Sequence, residues 1–246
     1  YAFPNQASLV QAKLKAVNAM CFDVSAACSG FITALDIAAS MLKAGSYKYA
    51  LVIGSEKMSE IVNWKDRSVC VLFGDGAGAV VLKAVDNNTE DDTGVSVGHE
   101  RGIIDSNIYN DGTGASVLTG GRRFSDSCGT DIFIHMDGQE VFKFAVKSVP
   151  TAIETLLHNN NMDINDVDKF ILHQANVRII ESVAKRLKAD KEKFPVNLNE
   201  YGNTSSASIP ILLDELNRNG SLKQGEKLVL AGFGAGLSWG SILLVW

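Results

Sequence analysis

Cys28 lies in Asp23-Val24-Ser25-Ala26-Ala27-Cys28-Ser29-Gly30-Phe31, where a strand-like run hands over to a helical one. A cysteine at the first turn of a helix meets unsatisfied backbone amides and the positive end of the helix dipole. Both favour thiolate over thiol. Its neighbours Ala26, Ala27, Ser29 and Gly30 are small, which leaves room for a bulky electrophile to approach the sulfur. The alternative for such a residue is an inert core thiol. Two further motifs bear on the choice: His173-Gln174-Ala175-Asn176-Val177-Arg178-Ile179 and Gly202-Asn203-Thr204-Ser205-Ser206-Ala207-Ser208. Alone, a histidine at a strand end is usually structural and a Gly-Asn pair usually a turn. Together, in this order and with a cysteine at a helix start, they are far more specific than any one alone.

The elements that must position these groups alternate between strand and helix. Residues 19–26 read as a buried strand, and 29–43 as a helix burying Phe31, Leu35, Ala38 and Leu42, stopped by Gly45. With a strand at 49–55 this is a strand–helix–strand crossover, which implies that 19–26 and 49–55 pair in parallel. Strand-like runs follow at 69–73 and 77–84 around Gly74-Asp75-Gly76. The polar stretch 86–94 (DNNTEDDTG) is the linker candidate, and the Gly-rich residues 95–135 read as an insertion shaping a site.

From about Met136 the alternation resumes: helix 139–159, strand 169–173, helices 176–187 and 206–217, then strands 227–233 and 238–245 around Gly234-Ala235-Gly236. The two halves echo one another. Each has a strand ending in a reactive side chain, Cys28 or His173, and each ends in strand, Gly-Ala-Gly, strand. In parallel sheets functional groups gather at the carboxyl ends of strands, which would bring Cys28 and His173 face to face.

Composition narrows the function classes. The chain has 246 residues, 46% of them hydrophobic, with a net charge of −5, enough for two stacked half-domains and unsuited to nonspecific nucleic-acid binding. No apolar run approaches the length of a membrane span. The four cysteines, Cys21, Cys28, Cys70 and Cys128, form no CxxC pair and have no histidine at zinc-ligand spacing, which fits a reducing cytoplasm. Gly74-Asp75-Gly76-Ala77-Gly78 leads into a β-branched run rather than a helix, so it is no phosphate-binding loop. It and 232–236 read as tight strand connections.

The three motifs, with Gly74-Asp75-Gly76-Ala77-Gly78, Gly138-Gln139-Glu140-Val141-Phe142-Lys143 and the ending Gly234-Ala235-Gly236-Leu237-Ser238-Trp239-Gly240-Ser241, resemble the β-ketoacyl-acyl-carrier-protein synthase III family over essentially the whole chain. These are the initiating condensing enzymes of fatty-acid synthesis. The resemblance implies an α/β, thiolase-like fold of two pseudo-symmetric halves in α-β-α-β-α layers. The halves are expected at 1–90 and 136–246, with 91–135 between them and the first half incomplete.

By the same resemblance Cys28, His173 and Asn203 form a catalytic triad, and the backbone amides of Cys28 and Ala235 form the oxyanion hole. Arg67 lies near the nucleotide end of CoA. Gly138, Phe142, Ala175 and Asn176 line the pantetheine tunnel. Lys143 and Arg178 lie where a carrier protein docks. Phe3 reaches into the acyl pocket of the partner in a homodimer. The implied substrates are an acyl-CoA primer and malonyl-acyl-carrier protein, with no metal or redox cofactor, no nucleic acid and no membrane partner, in the cytoplasm.

Two other readings stand beside this one: a related condensing or acyl-transfer enzyme of secondary metabolism, and an inert fragment. Alignment on Cys28 and Phe3 places roughly 80 family residues before Tyr1. The expectation is therefore a first sheet short of strands and a chain of reduced activity.

Overall fold

The computed structural model describes residues 3–85, 101–120 and 132–246; the linker candidate 86–94 and Cys128 lie outside them. The helices are α1 (Gln6–Leu14), α2 (Gly30–Lys43), α3 (Gly138–Asn159), α4 (Val177–Leu187), α5 (Leu198–Tyr201) and α6 (Ser208–Arg218). The strands are β1 (Tyr49–Glu56), β2 (Gly76–Lys83), β3 (Gly102–Asn110), β4 (Leu118–Thr119), β5 (His135–Met136), β6 (Lys169–Leu172), β7 (Lys227–Gly234) and β8 (Ser238–Val245).

Periodicity and caps account for the helices. Helix α2 buries Phe31, Ile32, Leu35, Ala39 and Leu42 at helical spacing. Gly45, at φ 77°, ends it in the left-handed conformation expected of a C-terminal glycine. Helix α3 starts where Asp137 accepts hydrogen bonds from the amides of Gln139 and Glu140, and α4 where Asn176 accepts one from Arg178.

The main sheet has the order β3-β8-β7-β6, with β6 parallel to β7 and the other pairs antiparallel. One face packs on α3 and α4 through Ile153, Leu156, Ile180 and Val183. The other packs on α2 and α6 through Phe31, Ile32, Ile209 and Leu212. Beyond α2 and α6 lies a second sheet, the antiparallel pair β1–β2. The layers therefore run helix, sheet, helix, sheet. Alternating Gly74, Gly76 and Gly78 are not a turn: a Cβ at Gly78 would lie 2.8 Å from the Ile211 nitrogen. They let the backbone of β2 lie against the loop before α6 and against α6 itself.

Three expectations need correction. Residues 19–26 join no ladder, and β1 pairs antiparallel with β2 instead. The side chain of Asp23 turns to a helix instead: its carboxylate accepts from the amides of Gln6 (2.7 Å) and Ala7 (2.9 Å) at the start of α1. Residues 69–72 are turns, because Asp66 winds them: its carbonyl accepts from Val69 and Cys70, and its carboxylate from Ser68; only Phe73 keeps a strand-like pairing, a single parallel bridge to Asn203. Finally, 102–110 is not part of an insertion. It is the edge strand β3, paired with β8 along its length, so the second half begins before Met136.

The internal echo is real but differently aligned. A 3₁₀ turn at Ala27–Ser29 leads through α2 and β1 to β2; a 3₁₀ turn at Ser205–Ala207 leads through α6 and β7 to β8. Each turn opens with a non-glycine residue at positive φ, Ala27 (45°) and Ser205 (51°). The counterpart of Cys28 is thus Ser206, and not His173. The halves also interlock. A Cβ at Gly54 of β1 would lie 2.9 Å from Cα of Ala207, while one at Gly232 of β7 would lie 3.6 Å from Cα of Ser29. Each turn rests on the other half's strand.

Candidate active site

Cys28, His173 and Asn203 line one cavity of about 230 Å³. His173 sits at the carboxyl end of β6, where its amide still bonds the Ala231 carbonyl at 2.8 Å and so continues the parallel ladder. The end of β7 supplies Phe233 and Gly234. The first turns of α3 supply Gly138, Val141 and Phe142, and the segment into α4 supplies Ala175 and Asn176. Ser68, Leu72 and Phe73 come from the connection between β1 and β2.

Cys28 is 8% exposed, and burial pushes its thiol up to about 11. The nearby Glu56 carboxylate pushes the same way. The Ser205 hydroxyl, 3.3 Å from Sγ, and the backbone amide act against it but do not overcome the desolvation. The resting group is a thiol, and the thiolate expected from a helix start does not prevail. The strand end approaches this turn closely. A Cβ at Gly234 would lie 2.8 Å from the Cys28 nitrogen and 3.0 Å from its Cβ. A chain of polar contacts ties the same two segments: Ser29 Oγ lies 2.7 Å from the Ala26 carbonyl and 2.6 Å from Ser238 Oγ. Ser238 Oγ in turn lies 2.9 Å from the Ala235 carbonyl.

His173 is buried at 1% exposure, and desolvation lowers its ring to about 3. It is a neutral imidazole at any physiological pH. Its Nδ1 lies 2.7 Å from Ser208 Oγ, and that oxygen accepts from the Gln174 amide at 3.2 Å. The Ser208 hydroxyl can donate its proton to Nδ1. The ring proton then belongs on Nε2, which remains for the cavity. Phe233 holds the ring edge-on, centroids 5.3 Å apart.

Asn203 is fixed through its backbone and its side chain. Its amide donates to the Leu72 carbonyl (2.8 Å), and its carbonyl accepts from Gly74 (3.0 Å). Its Oδ1 accepts from the Ser205 amide at 2.9 Å. That bond consumes the acceptor end of the carboxamide and leaves the Nδ2 donors for the cavity. The site therefore presents a thiol and two neutral hydrogen-bond donors.

Gly138, Phe142, Ala175 and Asn176 all fall in the cavity wall. Arg67 does not; it is exposed on the turn whose next residue, Ser68, lines the cavity. Ala235 is half-buried just past Gly234, which is the residue in the wall. Lys143 is exposed and paired with Glu140 at 2.7 Å. Arg178 is exposed at the first turn of α4. Phe3 is 85% exposed and lines no part of its own chain's cavity. The motifs carried no sign of what Ser205 and Ser208 bond. Both hydroxyls lie in the third motif, but only the fold aims them.

Residues 22–112 match the family described as 3-Oxoacyl-[acyl-carrier-protein (ACP)] synthase III, and residues 157–246 match its C-terminal part. The beta-ketoacyl-[acyl-carrier-protein] synthase III of Clostridium acetobutylicum is 46% identical over 249 aligned residues, 99% of this chain and 73% of that protein. The crystal structure of 3-oxoacyl-[acyl-carrier-protein] synthase III from Aquifex aeolicus has a TM-score of 0.89 at 46% identity, over 100% of this chain and 73% of that one. The priming beta-ketosynthase of the R1128 polyketide pathway gives 0.89 at 34% identity, over 100% and 71%. Fold and site together define an acyltransferase of the thiolase-like class. The chain belongs to the 3-oxoacyl-[acyl-carrier-protein] synthase III family.

Proposed function

We propose that Cys28, His173 and Asn203 carry out the family's initiating condensation between an acyl-CoA primer and malonyl-acyl-carrier protein. The observation that carries this assignment is the convergence on one cavity of a buried thiol with two neutral donors whose other ends are already bonded.

In the first half-reaction Cys28 Sγ attacks the thioester carbonyl of acyl-CoA. The oxyanion is held by the amides of Cys28 and Ala235, and the thiol proton ends on the departing CoA sulfur. In the second, malonyl-carrier protein loses CO₂. The enolate oxygen accepts hydrogen bonds from His173 Nε2 and Asn203 Nδ2, and its carbon attacks the acyl-Cys28 carbonyl. Cys28 leaves as thiolate and takes up a proton. Neutral donors suit this task, because a cationic imidazolium would hold the substrate carboxylate and oppose its loss. No step draws on a metal or redox cofactor.

The pantetheine arm lies along Gly138, Phe142, Ala175 and Asn176, with Arg67 at the nucleotide end and Arg178 and Lys143 on the docking face. Phe3, exposed on its own chain, is placed in the primer pocket of a homodimer. Among the described residues no helix is long and apolar enough to cross a membrane. The reaction is assigned to the cytoplasm.

His173→Ala and Asn203→Ala test the division of labour. Both should still form acyl-enzyme from labelled acyl-CoA, yet release CO₂ from malonyl-carrier protein roughly 10²–10³ times more slowly. Parental decarboxylation in both variants would refute the assignment. Steady-state rates with acetyl-, butyryl- and isobutyryl-CoA would identify the primer.

A further inference from the structure

We infer that Ser205 is a further catalytic residue, its hydroxyl stabilising the Cys28 sulfur as charge develops on it while its backbone amide separately orients Asn203. The inference rests on the proposed role of Cys28 as nucleophile.

Two bonds at one residue support it. Ser205 Oγ donates to Cys28 Sγ at 3.3 Å, and Ser205 N donates to Asn203 Oδ1 at 2.9 Å. The residue is buried and sits at φ 51°, a conformation that costs a non-glycine residue energy unless its surroundings impose it. The conformation places the amide toward one reacting group and the hydroxyl toward another. A hydroxyl bonded to a neutral thiol contributes little, and one bonded to a thiolate far more, so the contact strengthens as charge appears. Charge appears on Sγ twice: when the thiol deprotonates to attack acyl-CoA, and when the thiolate leaves in the condensation. Between these events sulfur is a thioester, a poor acceptor. Burial, which disfavours the thiolate, makes this donor matter more than it would in water.

Two neighbouring serine hydroxyls are committed elsewhere. Ser206 Oγ is engaged by Glu56, and Ser208 Oγ by His173.

Ser205→Ala removes the hydroxyl and keeps the amide bond to Asn203; Ser205→Gly does the same and relieves the positive φ. The readout is the pH profile of Cys28 alkylation by iodoacetamide, followed by mass spectrometry. It needs no turnover. In both variants alkylation between pH 7 and 9 should slow roughly 10-fold, with the profile displaced upward in pH. Decarboxylation of malonyl-carrier protein should fall by clearly less than alkylation, since Asn203 keeps its bond. An unchanged alkylation profile in Ser205→Ala overturns the inference. So does recovery in Ser205→Gly, or an equal fall in both reactions, since each marks a purely structural role. Failure of acyl-CoA to protect Cys28 of the parent enzyme would instead refute the nucleophile assignment, an outcome separate from these.

Discussion

Substituting Gly234 by alanine should damage the site more than its single added methyl suggests. The new Cβ would lie 2.8, 3.0 and 3.2 Å from N, Cβ and Cα of Cys28. All three belong to Cys28 itself, at its backbone and Cβ, so no flexible side-chain end can yield. Relief to ordinary contact requires separation of β7 from that turn by about 0.6 Å, and overpacking of this kind costs about 1–3 kcal/mol. The loss of unfolded-state entropy works in the opposite direction, by about 0.4–1 kcal/mol. Gly112→Ala isolates that smaller effect, because nothing lies within 4 Å of its added Cβ. The kinetic penalty should be larger. The displaced segments carry both proposed oxyanion amides, and a misplacement near 1 Å costs on the order of 10²-fold. Urea unfolding and single-turnover acyl transfer from labelled acyl-CoA measure the two effects. We expect Gly234→Ala to lose about 1–2 kcal/mol and roughly 10²-fold in acyl transfer, with Gly112→Ala unchanged or slightly stabilised. Parental stability and rate in Gly234→Ala would refute the argument that backbone approach sets this geometry.

Two further outcomes follow from the buried groups. His173, lowered to about 3 from an ordinary 6.5, lets the unfolded chain bind the extra proton between those values, so stability falls as pH drops from about 6.5 toward 3. Cys28, raised to about 11 from 9, keeps its proton in the folded state, so stability falls as pH rises through 9 to 11. Between pH 7.5 and 5 the His173 contribution is about 2 kcal/mol, and His173→Gln should lose that much less on acidification in urea titrations; an equal loss would count against the assigned burial effect. Ser29→Ala and Ser238→Ala each break the hydroxyl chain from Ala26 to Ala235, so the double variant should cost at least 0.5 kcal/mol less than the sum of the singles. Additivity within about 0.3 kcal/mol would show that the chain does not act as a unit.

The chemistry-bearing residues were legible because their motifs are local: Cys28 before a helical run, His173 at a strand end, Asn203 after a glycine. Helices α2, α3, α4 and α6 were legible for a similar reason, in apolar spacing and capping residues. Other features depended on partners distant in sequence. Residues 19–26 carry a strand's pattern, yet Asp23 spends its carboxylate on α1. Strand β3 acquires its identity from β8. Helix α1 buries no residue and offered no apolar face to detect. The raised thiol was illegible because the elements that bury Cys28, the loop at Ser205 and the end of β7, lie far along the chain. Which hydroxyl meets Sγ, Nδ1 or a carboxylate was hidden for the same reason.

The matched turns leave one more consequence. Position 206 is a second seat of the kind that Cys28 occupies, and the residue facing each seat is the last of the opposite half's strand. Across from Cys28 that residue is Gly234, which offers no side chain. Across from Ser206 it is Glu56, whose carboxylate accepts from the serine hydroxyl. One seat opens on the cavity and its twin is plugged. Under the proposed function, which half of a duplicated scaffold does the chemistry is thus decided across the interface as well as at Cys28. A designer wishing to awaken the silent seat would have to clear Glu56 before placing a thiol at 206.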